Sequence, residues 1–384
     1  MISKSTFKNI EEVFKSKFEE KPIQIFAPGR INIIGEHTDY NNGFVLPAAI
    51  DKGIFFCISK SKSNLSTIIA LDKNESFEFD NNQIENLKVT SWKKYLIGVL
   101  LELKKINKFV NSFNLVFSGN IPIGAGLSSS AALENGFLFS VNILFDLKLT
   151  KHQMIKISQQ AEHNYVGVKC GIMDQFASMF GLKENLLLLD CKTGKEEIIP
   201  FKKSNIEIIL INSNIKHDLA ESAYNNRFKT CLKLSKLMKL NSLREATYFD
   251  LESIKNKITI DEYQKGEFVI NENKRVLKAV EEIKNNNFKN LGQLLYESHQ
   301  GLQYQYNVSC DEIDYLVSLT KEHSEILGSR IMGGGFGGCT INLVQKNSLN
   351  IINTIAKKYE TKFNLKPDII KVKIANGVKL IKYD

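Results

Sequence analysis

The chain has 384 residues, 43% of them hydrophobic and 10% aromatic, which is enough to bury sizeable cores and favours two domains. Its net charge is +9, but the lysines alternate with acidic residues, and around 229–239 they follow the spacing of an amphipathic helix, so we expect no nucleic-acid surface. No apolar run is long enough to cross a bilayer and the N-terminus lacks the apolar core of a signal peptide, so we expect no membrane contact and a cytoplasmic protein.

Along the chain, the predicted strands and helices are mixed without a regular βαβ rhythm. Strands are predicted at 23–27, 44–60, 67–71, 114–117, 186–189, 207–211, 339–344 and 369–374. Helices are predicted at 92–105, 128–145, 151–166, 220–240, 273–284, 291–298, 312–323 and 350–362. This mixture predicts an α+β fold. Since no linker or internal repeat marks a boundary, we place the two domains at 1–200 and 201–384.

The first informative motif is the segment 27–40, which contains Arg30, Glu36, His37 and Asp39. Proline and glycine residues punctuate it, which predicts loops around a short apolar strand. Each sugar hydroxyl needs both a donor and an acceptor, and carboxylates with an imidazole supply them. The segment therefore fits a polyhydroxylated ligand.

A glycine- and serine-rich loop follows the strand predicted at 114–117. It reads IPIGAGLSSSAA over 121–132 and opens the next helix. Glycines allow close approach of a ligand, and free N–H groups at a helix start favour phosphate. The alternative is an ordinary helix with a serine N-cap after a tight turn. The loop is not a Walker A motif, because GxxxxGK[ST] does not occur.

Asp174 lies in the segment GIMDQF at 171–176, after the helix predicted at 151–166. Its apolar neighbours predict partial desolvation, which tends to raise the pKa of a carboxyl group. The alternative is an N-cap on a short helix. The residues themselves leave both interpretations open.

The run GGGFGG at 333–338 contains a literal GxGxxG. A dinucleotide-binding fold needs a helix after this motif and an acidic residue about 20 positions later. A strand is predicted instead at 339–344, and too little chain remains for such a unit. We therefore reject a dinucleotide site, and six positions with five glycines are too specific for a simple flexible turn.

Taken in order, these motifs resemble those of the galactokinases, a branch of the GHMP small-molecule kinases. The similar elements are GEHTDY at 35–40, PxGxGLSSSA at 122–131, AEH at 161–163, GxMDQ at 171–175 and the glycine run. The resemblance implies an N-terminal domain like ribosomal protein S5 domain 2, a ferredoxin-like C-terminal domain, and an active site between them. It also implies transfer of the γ-phosphoryl group of ATP to the C1 hydroxyl of α-D-galactose.

The resemblance also implies roles for individual residues. Asp174 would accept the proton of the sugar hydroxyl, with Arg30 beside it. Magnesium would be held by Ser130 and Glu162. The sugar would contact Glu36, His37, Asp39, Gly171 and Tyr224. ATP would contact Gly124, Gly126, Leu127, Ser128, Ser129 and Ser130. Trp92 and Tyr95 would lie near the adenine pocket, with plain helix packing as an equal alternative. The phosphate site would be shaped by Gly333, Gly334, Gly335 and Gly337.

The implied partners are galactose and ATP with magnesium, and we expect a monomer or a weak homodimer. One alternative is a sibling kinase acting on N-acetylgalactosamine or arabinose. Homoserine and mevalonate kinases lack the GEHTDY cluster. Another alternative is a regulator that binds sugar and ATP without phosphorylation, but the intact segment 128–132 favours catalysis.

Overall fold

The computed structural model describes residues 4–122, 124–201, 205–215 and 220–381. Its largest sheet has six strands in the order β13-β1-β3-β6-β4-β5. The strands are β1 (Ile23–Asn32), β3 (Pro47–Lys60), β4 (Leu65–Ala70), β5 (Glu75–Asp80), β6 (Phe113–Gly119) and β13 (Lys379–Leu380). All pairs are antiparallel except β4 with β6.

Helices cover both faces of this sheet. On one face lie α2 (Lys93–Lys105), α3 (Ser129–Leu144), α4 (Lys151–Ala161) and α5 (Met173–Phe180), which share one apolar core with the sheet. The other face is covered by α1 (Lys4–Phe18), where Phe14 packs with Phe26 and Phe55. A π-helical turn, Glu162–Val166, extends α4 and ends at Gly167.

The second sheet has four strands in the order β10-β11-β9-β12. Its strands are β9 (Ile206–Asn212), β10 (Ile326–Ile331), β11 (Cys339–Gln345) and β12 (Asp368–Val372). The helices of this half are α6 (Ala220–Leu237), α7 (Tyr248–Ser253), α8 (Ile260–Lys284), α9 (Phe288–Tyr304), α10 (Asp311–Thr320) and α11 (Leu349–Phe363). A small third sheet is formed by β2 (Phe44–Val45), β7 (Asn185–Asp190) and β8 (Lys195–Pro200).

The two halves of the chain share a continuous core. Ile31 and Ile33 of the first half lie in the same apolar cluster as Ile208 and Ile341 of the second sheet. Since β13 returns from the end of the chain to pair with β1, the C-terminal residues complete the first sheet. The mixture of helices and strands confirms the α+β class, and the division near residue 200 stays a proposal.

The largest errors in the predicted boundaries concern β1, α8 and α9, and α9 ends at Tyr304 rather than near 298. β1 does not end at Ala27 but continues to Asn32, so six of the 14 residues in the segment 27–40 belong to this strand. The register shifts between Pro28 and Arg30, and this irregularity accommodates proline, which lacks an N–H group. α8 begins at Ile260, not near 273, because Thr259 and Glu262 form a capping box.

Several helices and strands were not predicted from the sequence, namely α1, α5, α7, β5, β8, β10 and β13. β5 and β8 are mostly exposed edge strands, so they lack a strong apolar signal. Among the described residues, no helix combines the length and apolar character needed to cross a membrane.

Candidate functional site

A cavity of about 250 Å³ lies where the two halves meet, and most of the candidate residues line it. The candidate residues on its wall are Arg30, Glu36, His37, Asp39, Tyr95, Ser130, Glu162, Asp174, Tyr224, Gly333, Gly334 and Gly335. They come from β1 and the following loop, from α2, α3, α5 and α6, from the π-helical turn after α4, and from the glycine run. The fold therefore brings motifs that are up to 300 residues apart into one wall.

Asp174 lies in the first turn of α5, and Arg30 holds it through two hydrogen bonds. Arg30 Nε donates to Oδ1 at 2.7 Å and Nη2 donates to Oδ2 at 2.9 Å. Ser128 Oγ donates to the same Oδ2 at 2.5 Å. Ile172, not Asp174, occupies the N-cap position, so the N-cap alternative for Asp174 is wrong.

Arg30 is itself fixed on all sides. It is 5% exposed, and its Nη1 donates to the carbonyl oxygen of Gly126 at 2.5 Å. Burial alone lowers the pKa of an arginine, but the carboxylates of Asp174 and Glu36 outweigh it, so the pKa of Arg30 is raised. The guanidinium is therefore a permanent positive charge at the bottom of the cavity.

Glu36 connects the first motif to the glycine run. Its Oε1 accepts from Nη2 of Arg330 at 3.0 Å and from the backbone N–H of Gly333 at 3.0 Å. Arg330 is fully buried and also donates to the carbonyl oxygens of Ile33 and Asn32, at 2.8 and 2.5 Å. Sequence reasoning omitted Arg330 from the site. The available signal was the scarcity of arginine in a lysine-rich chain, since only five are present.

His37 and Asp39 also line the first cavity. His37 has a φ of 62°, and burial together with the charge of Arg227 lowers its pKa to about 3, so the imidazole is neutral. Burial and the negative charge of Asp174 raise the pKa of Asp39 to about 7. Asp39 Oδ1 accepts from the backbone N–H of Tyr40 at 2.9 Å.

Gly171 does not line this cavity but lies in a neighbouring one of about 560 Å³ that shares Asp39 and Cys170 with it. A Cβ atom on Gly171 would lie 2.1 Å from Asp39 Oδ2, so only glycine fits beside this carboxylate. Tyr224 on α6 covers the other side, with its ring 5.5 Å from that of His37.

A third cavity, of about 420 Å³, adjoins the first and meets it at Tyr95 and Ser130. Trp92, Ser129 and Lys94 also line it. Trp92 is 7% exposed, and its indole N–H donates to Glu75 at 3.0 Å. Its indole thus both packs in the core and forms part of a cavity wall.

The serine loop supplies the junction between these cavities. Gly124, Gly126 and Ser128 have φ values of 77°, 67° and 56°. Ser128 precedes α3 as its N-cap residue but makes no capping hydrogen bond, since its hydroxyl donates to Asp174. Leu127 is buried in the shared core, and its carbonyl oxygen accepts from the Arg30 N–H at 3.1 Å. Ile123 lies outside the described residues.

Glu162 and Ser130 offer oxygen atoms to the first cavity. Burial raises the pKa of Glu162, while hydrogen bonds from Cys170 and Ser130 oppose this shift. A carboxylate and a hydroxyl oxygen suit Mg²⁺, which keeps several waters and binds through one or two carboxylates and phosphates. The described residues contain no cluster of three or more His, Cys, Asp and Glu side chains able to hold a metal. Glu162 and Ser130 therefore suit a metal ion that is also coordinated by the phosphate groups of a nucleotide.

The glycine run packs against the serine loop. A Cβ atom on Gly338 would lie 3.2 Å from the carbonyl oxygen of Gly124, and one on Gly333 would lie 3.5 Å from that of Gly126. Gly335 and Gly337 have φ values of 90° and 123°, which other residues rarely adopt. A Cβ atom on Gly335 would lie 2.4 Å from the carbonyl oxygen of Val308, and one on Gly337 would lie 2.6 Å from that of Ile215.

Comparison with known proteins identifies the family of this chain. Three family models match: the galactokinase galactose-binding signature at residues 12–60, the GHMP kinases N terminal domain at 94–182, and the GHMP kinases C terminal at 279–361. The galactokinase of Thermosipho africanus is 39% identical over 361 residues, which covers 94% of this chain and 100% of that protein. The galactokinase of Clostridium acetobutylicum is 37% identical, with 97% and 98% covered.

Among solved structures, Lactococcus lactis galactokinase complexed with galactose matches with a TM-score of 0.94 at 30% identity, covering 98% of this chain and 100% of that one. A mevalonate kinase structure matches with a TM-score of 0.65 at 20% identity, which reflects the fold alone. These matches confirm the two-domain GHMP architecture inferred from the motifs. The chain belongs to the galactokinases, a branch of the GHMP kinase family.

Proposed function

We propose that this chain transfers the γ-phosphoryl group of ATP to the C1 hydroxyl of α-D-galactose, giving galactose 1-phosphate and ADP. The observation that carries the proposal is the Asp174–Arg30 pair, which lies in the first cavity close to the junction with the third. A sugar in the first cavity and a nucleotide in the third would meet beside this pair. The names of the relatives and the galactose in the solved structure support the choice of sugar.

Asp174 is the residue that we assign to the sugar hydroxyl. Its carboxylate can accept the hydroxyl proton, while the two hydrogen bonds from Arg30 hold it in a fixed orientation. In a loose phosphoryl-transfer transition state, the proton of the attacking oxygen leaves late, so orientation and charge contribute together with deprotonation. The second role of Arg30 is to stabilise negative charge on the transferring group.

We assign sugar recognition to Glu36, His37, Asp39, Gly171 and Tyr224. Glu36 and Asp39 are acceptors of hydrogen bonds, which suits a ligand rich in hydroxyl groups. Gly171 acts by leaving room for Asp39. Tyr224 encloses the sugar on the side of α6, next to Gly334.

We assign the nucleotide to the third cavity and to the serine loop. The N-terminus of α3 and the glycines before it favour phosphate groups. Trp92 and Tyr95 supply aromatic surface for the base. Ser130 and Glu162 would hold Mg²⁺, which neutralises charge on the β- and γ-phosphates when it is bound.

We further propose a cytoplasmic enzyme that is a monomer or weak homodimer and contacts neither membrane nor nucleic acid. A panel of galactose, N-acetylgalactosamine, arabinose, glucose and no sugar, with ATP and magnesium, tests the function. We expect ADP release to be faster with galactose than with any other sugar of the panel. Equal or greater turnover on another sugar would instead assign the chain to a sibling kinase.

A further inference from the structure

A chain of hydrogen bonds runs from the back of His37 into the second half of the molecule. His37 Nδ1 lies 2.9 Å from the hydroxyl of Tyr40, and this hydroxyl lies 2.7 Å from that of Tyr306. The Tyr306 hydroxyl lies 3.2 Å from Sγ of Cys231. Tyr306 and Cys231 are 0% and 2% exposed, so water cannot replace a missing partner.

Such a chain can run in only one direction, because each hydroxyl carries one hydrogen. If Cys231 is the first donor, Tyr306 donates to Tyr40 and Tyr40 donates to His37 Nδ1. If His37 Nδ1–H is the first donor, every bond reverses and the last hydrogen reaches Sγ. A thiol sulfur is a weak acceptor, which favours the first direction.

The other ring nitrogen of His37 also favours the first direction. Nε2 is buried and has no partner at hydrogen-bonding geometry. Burial lowers the pKa of His37 overall, but the backbone of Gly334 opposes this effect. A nearby carbonyl oxygen has this influence, because it stabilises the protonated ring. A carbonyl oxygen only accepts, so the hydrogen of the neutral ring belongs on Nε2, and Nδ1 is left to accept from Tyr40.

We propose that Tyr306, Tyr40 and Cys231 form a directed chain that holds His37 as the Nε2–H tautomer, so that His37 donates to an oxygen of the sugar. The sugar contact rests on the proposed function, whereas the tautomer does not. The inference adds a donor to a wall whose carboxylates, Glu36 and Asp39, act as acceptors. Tyr306 is then a positioning residue that acts through Tyr40 and His37.

The tautomer can be read directly by nitrogen-15 NMR of the histidine rings in the full-length protein near neutral pH. Six histidines contribute, and the His37 signals are those missing from His37→Gln. We expect a protonated Nε2 and an unprotonated Nδ1. A protonated Nδ1 in the wild-type protein would overturn the proposal, whatever the enzyme's activity.

Tyr306→Phe removes one oxygen from the chain and keeps the ring. The Tyr40 hydroxyl then no longer accepts a hydrogen bond from Tyr306. It can accept from His37 Nδ1 as readily as donate to it, so we expect a mixture of the two His37 tautomers. We also expect a galactose KM about fivefold higher with little change in kcat, the effect of one neutral hydrogen bond. Cys231→Ser, which keeps a donor at the start of the chain, is expected to keep the wild-type tautomer. An unchanged tautomer in Tyr306→Phe would contradict the role of Tyr306.

Tyr359→Phe is the matched control. Tyr359 is also fully buried, and its hydroxyl donates to the carbonyl oxygen of Ser213 at 2.9 Å, apart from the His37 chain. It should leave both the His37 signals and the galactose KM unchanged. Saturating galactose should shift the Nε2 signal of the wild-type protein. If Nε2 does not respond while galactose is still phosphorylated, the donor role of His37 is wrong but the kinase assignment stands.

Discussion

Asp174 and Arg30 face each other through two hydrogen bonds of 2.7 and 2.9 Å, although 144 residues separate them along the chain. The arginine is almost completely buried, while the aspartate side chain is 25% exposed. The pair therefore presents a fixed carboxylate at an accessible surface of the cavity, with its countercharge behind it.

Asp174→Asn keeps the shape of the side chain but removes its charge and its ability to accept a proton. We expect kcat to fall by more than about a hundredfold while galactose still binds. Steady-state kinetics and calorimetric titration with galactose measure the two effects separately. Asp146→Asn is the control, since Asp146 is exposed and pairs only with Lys148 among the described ion pairs. Near-normal turnover of Asp174→Asn would remove the role assigned to Asp174.

Glu36→Ala leaves the fully buried guanidinium of Arg330 without its carboxylate partner. We expect a higher galactose KM, and also a loss of about 3–5 kcal/mol in the free energy of unfolding, as for other broken buried ion pairs. Denaturant titration and sugar-dependent kinetics provide the measurements. Glu322→Ala breaks the exposed pair with Lys358 and should cost less than about 1 kcal/mol. If the two variants unfold alike, the Glu36–Arg330 contact is not structural, and an unchanged KM would exclude Glu36 from the sugar site.

Gly171→Ala introduces a methyl group where the carboxylate of Asp39 lies, at 2.1 Å from Oδ2. Asp39 must rotate away, so we expect the galactose KM to rise about tenfold or more, the scale of a hydrogen bond to a charged group. The KM for ATP should stay near its wild-type value, which serves as an internal control. If the KM for galactose and the KM for ATP rise equally, the substitution distorts the whole active site rather than the sugar contact of Asp39.

The pH dependence of galactose use should report on Asp39, whose pKa is raised to about 7 by burial and by Asp174. The ionised form accepts hydrogen bonds from sugar hydroxyls, so kcat/KM for galactose should rise with pH and level off above about pH 7. The dependence should be weaker in Asp39→Asn. A profile that is flat through neutral pH in the wild-type protein would contradict a titrating Asp39.

Ionisation of Asp39 should favour galactose use, but it should lower the stability of the folded protein. Between about pH 4 and 7, the folded protein keeps a proton on Asp39 that the unfolded chain has released, so the contribution of Asp39 to the free energy of unfolding falls as pH rises. Relative to Asp39→Asn, the wild-type protein should therefore lose stability over this window. Denaturant midpoints for both proteins near pH 5 and pH 8 measure the difference.

The local motifs could be predicted because each combines special residues over a short stretch. The serine loop opens α3 as predicted, and the residues from 27 to 40 were recognised as a motif although six of the 14 are strand, whereas α5, which carries Asp174, was not predicted as an element. Their mutual contacts were not derivable from the residues, since they depend on how distant elements approach. The resemblance to a known family supplied that information.

β10 shows why other parts were missed. It contains Gly328 and a buried arginine, Arg330, which together conceal the strand pattern. Gly328 lies so close to Gly292 of α9 that a Cβ atom would be 2.4 Å from the Cα atom of Gly292. Arg330 is buried because Glu36, 294 residues earlier, neutralises it. Neither contact leaves a local signal in the sequence.

The most direct test of the central claim is ADP release with ATP and magnesium across the sugar panel, comparing wild-type protein with Asp174→Asn. We predict strong turnover on galactose by the wild-type protein and almost none by the variant. No turnover of wild-type protein on galactose, with galactose and ATP still stabilising the fold, would contradict the account and indicate a binding protein without kinase activity.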